Sequence, residues 1–118
     1  MWEVRYHPSA EEERGQLPTK ERVAIENAVK KLEVMGPQLP APHQSNVEGV
    51  ESLRELRPRS GRSPWRAFYR RIGDVFVIGA VGPEAQVNKR KFNQAAKAAQ
   101  ERLDEVKPSK EDQRHENQ

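Results

Sequence analysis

Seven arginines fall between Arg54 and Arg71, at positions 54, 57, 59, 62, 66, 70 and 71, and no lysine interrupts them. A guanidinium is a planar fork that binds phosphate oxygens two at a time, whereas an ammonium is a point charge. The run therefore points to a polyanionic partner, nucleic acid above all, against the alternative of a merely solvated charge run. Arg66 sits mid-strand between Trp65 and Ala67 and is either a phosphate ligand or an ordinary solvent-facing strand arginine. Arg57 could face it across a hairpin, or pair with Glu55 two residues back on the same strand face. An imidazole exchanges protons near neutral pH, so His43, between Pro42 and Gln44, is a candidate acid or base, or else an exposed loop histidine. Tyr69 could stack on a base or belong to the core. Lys89, Arg90 and Lys91 stand at an expected helix N-terminus, where cations oppose the macrodipole, a placement that favours holding an anion.

The charge behind this pattern is unevenly spread. The 118 residues carry a net charge of +3, but residues 51–91 hold ten Lys/Arg against four Asp/Glu, a local balance of +6. Apolar residues make up 34% and charged residues 33% of the chain, polar for a globular domain. Cysteine is absent, which excludes a disulfide scaffold, a thiolate metal site and a cysteine nucleophile. The longest strongly apolar run, Val75 to Val81, is far too short to span a bilayer, and no apolar signal region follows Met1. A soluble cytoplasmic protein without a membrane partner is the expectation.

The elements that must position these residues can be read from periodicity. Trp2 to Tyr6 alternates like a half-buried strand and Pro8 stops it. Ser9 to Glu12 resembles a capping box opening a short helix. A second helix is expected from Thr19 to Met35, with Val23, Ala24, Ala28, Leu32 and Met35 on one stripe and Gly36-Pro37 ending it. Leu39 to His43 reads as extended loop. Strands follow at Ser52–Arg57, Pro64–Ile72 and Val75–Val81, the last two joined at Gly73-Asp74. From Asn88 a last helix carries Phe92, Ala95, Ala96, Ala99, Leu103 and Val106 on one side. The order predicts an α+β domain over residues 1–107: a small antiparallel meander covered by an N-terminal helical hairpin and a C-terminal helix. Residues 108–118 contain no apolar side chain beyond Pro108 and are expected to be a disordered polar tail.

Three segments together resemble the RelE/HigB superfamily of type II toxin–antitoxin toxins, in its phage-derived, host-killer branch. Leu39-Pro-Ala-Pro-His43 is similar to the loop before the first meander strand. Leu53-Arg-Glu-Leu-Arg57, Gly61-Arg62 and Trp65-Arg-Ala-Phe-Tyr69 resemble its core pattern, and Val75 to Val81 its last strand. The resemblance runs over residues 2–106 and implies a RelE-like fold. It further implies a metal-independent mRNA endoribonuclease, often ribosome-associated, that inhibits translation, needs no cofactor and is restrained by a cognate antitoxin. In that reading Arg66, Arg57 and His43 are catalytic. Arg54, Arg59, Arg62, Tyr69, Arg71, Lys89, Arg90 and Lys91 contact RNA. The chain departs from RelE at Leu53 and Glu55, where RelE carries lysines, near Glu84, where it carries arginine, and near Phe92, where it carries tyrosine. The alternatives are a ParE-like toxin that is no nuclease, and a nucleic-acid or protein-binding module of the same fold without catalysis.

Overall fold

The structure, a computed structural model, describes residues 1–107. In chain order its elements are β1 (Glu3–Tyr6), α1 (Pro8–Gly15), α2 (Thr19–Met35), β2 (Gln44–Asn46), β3 (Arg54–Leu56), β4 (Trp65–Ile72), β5 (Val75–Pro83) and α3 (Lys89–Asp104). Short 3-10 turns at Gly36–Gln38 and Pro58–Gly61 lead out of α2 and β3. No helix among the described residues is long and apolar enough to cross a membrane. The expected disordered tail lies outside the described residues.

The five strands form one sheet in the order β1-β5-β4-β3-β2. Strands β2 to β5 are antiparallel neighbours, as a meander requires, but β1 runs parallel to β5, with Val4 opposite Phe76 and Tyr6 opposite Ile78. The sheet is therefore mixed, which corrects the purely antiparallel expectation. β5 is apolar on both faces and would otherwise be an open hydrophobic edge; β1 closes that edge. The helices α1 and α2 then carry the chain across the sheet to β2 at the far side. β2 itself, Gln-Ser-Asn, lies just beyond the expected Leu39–His43 loop, where no element was expected. It has no apolar signal, and its strand geometry comes from pairing with β3 alone.

Two cores sandwich the sheet. On one face Ala10, Ile25, Ala28 and Leu32 of α1 and α2 pack on Leu56, Ala67, Tyr69, Phe76 and Ile78. On the other, Phe92, Ala96, Ala99 and Leu103 of α3 pack on Phe68, Val77 and Ala80. The register shift between Phe68 and Tyr69 places Gly79 as the extra residue of β5. A Cβ on Gly79 would come within 2.8 Å of Leu103, and one on Gly82 within 2.5 Å of Ala95. Both glycines let α3 seat directly on the strand backbone. The caps also differ in part from expectation. His7, not Ser9, caps α1, its Nδ1 accepting the Ser9 N–H at 3.1 Å, while Asn88 caps α3 by accepting the Lys91 N–H at 2.9 Å.

Candidate nucleic-acid interface

Strand pairing brings three of the expected site residues into one line. The Arg57 N–H donates to the His43 carbonyl at 2.9 Å, which extends the β2–β3 ladder one residue beyond its last strand pair. The pairing of Leu56 with Ala67 carries the β3–β4 register on to Arg57 beside Arg66, and Arg66 is paired with Gly82. Opposite residues share a face, so His43, Arg57 and Arg66 form a cross-strand row on the α3 side of the sheet, with Glu55 in the adjoining row.

Arg66 is 1% exposed and all three of its guanidinium nitrogens are engaged. Nε donates to Glu55 Oε1 at 3.3 Å; Nη1 donates to the carbonyls of Ser63 at 2.7 Å and Trp65 at 2.9 Å; Nη2 donates to the Gly61 carbonyl at 3.3 Å and Glu84 Oε2 at 2.7 Å. Burial, and then the nearby Arg57, push its pKa below the usual arginine range, while Glu84 and Glu55 oppose that shift. Arg57 is only partly covered. Its Nε lies 3.7 Å from Glu55 Oε1, is buried and makes no hydrogen bond with any described residue, and its guanidinium lies against Gly61. His43 is half-buried.

Beside the row, a groove of about 410 Å³ runs between α3 and the β2–β3 end of the sheet. Glu55, Asn46 and Val47 form one wall, and Lys89, Phe92 and Lys97 of α3 form the other. Lys89, Arg90 and Lys91 are exposed at the start of α3, and Lys89 lies 5.6 Å from the centre of the Phe92 ring.

The other expected contacts are divided between places. Arg59 reaches back to α2, pairing with Glu21 at 3.0 Å and donating to the Lys20 carbonyl, while Arg62 donates to the Arg59 carbonyl at 3.1 Å. Arg54, Tyr69 and Arg71 meet on the opposite face of the sheet, around a depression of about 220 Å³. The Tyr69 ring is buried and packs edge-on against Phe76 with centroids 5.9 Å apart, so its faces are taken by the core. Burial raises its hydroxyl pKa to about 12 against the opposing charge of Arg54. Sequence reasoning missed Lys97 and Gln44 as lining residues, and it missed Glu84 as the partner of Arg66. Lys97 lies one turn beyond Asn93 on α3, both lining the groove, a spacing that could have flagged it. The contact of Glu84 with Arg66 spans 18 residues and has no local signal.

The sequence profile of the family described as phage derived protein Gp49-like (DUF891) matches residues 12–80. No curated protein matches the chain. Among solved structures, a free Escherichia coli toxin RelE carrying two arginine-to-alanine substitutions superposes with a TM-score of 0.59 at 16% identity, covering 81% of this chain and 95% of its own. The intact E. coli RelBE toxin–antitoxin complex gives a TM-score of 0.57 at 17% identity, covering 71% and 98%. The archaeal RelE–RelB complex from Pyrococcus horikoshii gives 0.51 at 20% identity, covering 70% and 93%. The fold is RelE-like.

Proposed function

The chain belongs to the phage-derived Gp49-like family, and from that premise we propose that it is the toxin of a type II toxin–antitoxin pair, an endoribonuclease that cleaves mRNA. The observation that carries the reading is the His43–Arg57–Arg66 row beside a groove whose α3 wall is basic. In the reaction proposed, a ribose 2′-OH attacks the adjacent phosphorus and the bond to the 5′ oxygen breaks. A 2′,3′-cyclic phosphate and a 5′-hydroxyl end result. His43 accepts the 2′-OH proton, and water supplies one to the leaving oxygen. Arg57, whose side chain is only partly covered, contacts the phosphoryl oxygens as charge builds on them. Arg66, enclosed by five hydrogen bonds, positions Glu55 and Arg57 rather than touching RNA. Lys89, Lys97, Arg90 and Lys91 hold the strand by its phosphates without reading sequence. The RelB partners in the compared complexes support a cognate antitoxin as the restraint on this chain.

Induced expression followed by mapping of mRNA 5′ ends tests the reading, with new 5′-hydroxyl ends as the expected result. With purified chain in single turnover, Arg57→Ala lowers cleavage by roughly 10²-fold and His43→Ala by roughly 10²-fold or more. Intact mRNA in growing cells and no cleavage by the purified chain overturn it. The enclosure of Arg66 by Glu55 and Glu84 favours one second reading, an RNA-binding module of the same fold that does not cut. Its signature is salt-dependent RNA binding with the RNA left whole.

A further inference from the structure

On the sheet face away from the groove, Arg54 of β3 stands opposite Tyr69 of β4, and Arg71 follows two residues on, on the same face. The three line a depression of about 220 Å³ whose floor is Leu39 and Phe76 and whose edge carries Gln44. Among the described residues its lining contains no carboxylate. Arg54 is exposed and held by Gln44 Oε1 at 3.0 Å. The Arg71 guanidinium lies 5.0 Å from the Trp2 ring centre, its Nε on the Gly73 carbonyl at 3.0 Å, with Asp74 at 3.9 Å from Nη2. Tyr69 is 2% exposed as a whole residue.

Two guanidiniums flank an apolar floor, with a phenol hydroxyl and a carboxamide between them. We propose that this depression binds one nucleotide: its phosphate between Arg54 and Arg71, its base against Leu39 and Phe76, with Tyr69 and Gln44 hydrogen-bonding the base or sugar. The proposal rests on RNA being the ligand of this protein, yet it does not need the groove on the other face to cut. Arg forks suit phosphate, and an apolar floor with few polar groups is how small ligands are oriented.

The test is a titration of the full chain with AMP, adenosine and inorganic phosphate, followed by backbone amide shifts in NMR. AMP is expected to shift the amides of Gln44, Arg54, Tyr69 and Arg71 and to bind more tightly than phosphate or adenosine alone. Arg54→Ala with Arg71→Ala weakens AMP binding by roughly 100-fold, one charge-assisted contact per arginine. Tyr69→Phe removes only the hydroxyl and keeps the buried ring, so the fold is kept and AMP binding falls by roughly three- to tenfold. A 5′-phosphorylated tetraribonucleotide that binds at least as tightly as AMP identifies an RNA end as the occupant; tighter binding of AMP identifies a free nucleotide. AMP shifts that bypass these four residues, or binding that survives loss of both arginines, overturn the proposal. Failure of RNA cleavage leaves this titration untouched, so the two readings fail separately.

Discussion

Arg66 and Arg71 are five residues apart on one strand and live in opposite circumstances. Arg66 is 1% exposed, tied to two carboxylates and three carbonyls; Arg71 is exposed beside a depression lined, among the described residues, by no carboxylate. The odd spacing places them on opposite sheet faces, because strand side chains alternate. Arg54, at the start of β3, and Arg57, just beyond its end, likewise fall on opposite faces, but Arg57 stays partly exposed. Within one arginine run, strand parity thus decides which face a guanidinium serves, and burial decides whether it is tied into the protein or left for a ligand.

The sharpest way to break that comparison is Arg66→Ala. It leaves Glu55 and Glu84 facing an empty buried site, and removing one partner of a buried ion pair costs about 3–5 kcal/mol. Denaturant unfolding should show a loss of that size. Arg66→Lys should recover little, since one ammonium cannot replace a fork serving five acceptors. A variant as stable as wild type would mean that the enclosure contributes nothing and that Arg66 is free for other work.

Much of this arrangement could be read from the sequence, and the rest could not for identifiable reasons. The apolar spacing in Thr19–Met35 and from Phe92 onward locates α2 and α3, and the run from Val75 marks the doubly buried β5. The parallel seat of β1 was not legible, because alternation in Glu3–Tyr6 specifies a strand without its neighbour or direction. Gln44–Asn46 has no pattern at all and is a strand only by its partner. At the site, the hairpin spacing already places Arg57 across from Arg66. The carboxylate that closes on Arg66 was not legible, since Glu84 arrives from the end of β5, after a hairpin and a register shift. Tyr69 and Arg71 share a face, and Tyr69 is buried because its ring packs on Phe76 in the core, a contact that aromatic composition alone does not reveal.

Tyr69 sharpens the comparison from within the exposed side. Its folded pKa of about 12 lies above the model value of 10.0, because burial disfavours the phenolate. A group with a raised folded pKa contributes its stability in full below the unfolded value and loses it as pH climbs through the folded one. Stability should therefore be level up to about pH 10 and fall by about 2–3 kcal/mol as pH rises through 12, beyond the decline shown by Tyr69→Phe. Tyrosinate absorbance titrated alongside urea unfolding measures both quantities. A Tyr69→Phe variant with the same alkaline decline as wild type would place the effect elsewhere, Tyr6 being the other tyrosine whose pKa burial raises.

The smallest expected effect is the most discriminating one. Arg71→Ala gives up an exposed stacking contact with Trp2, worth about 0.5–1 kcal/mol, and a single hydrogen bond to the Gly73 carbonyl at the β4–β5 turn. Its unfolding midpoint should hardly move, in contrast with that of Arg66→Ala. Its binding should change in a different observable. If Arg71 neutralises one phosphate of single-stranded RNA, the slope of log affinity against log salt should become shallower by about 0.7, the contribution of one released counterion. Arg54→Ala should do the same, and the double variant should lose about twice as much slope if both contact separate charges. A single phosphate held between the two would instead give the double variant nearly the slope of either single one. Measured between 50 and 200 mM salt, that difference separates a shared phosphate from two independent ones. An unchanged slope in both single variants would show that these exposed arginines, like Arg66, are not where the nucleic acid lies.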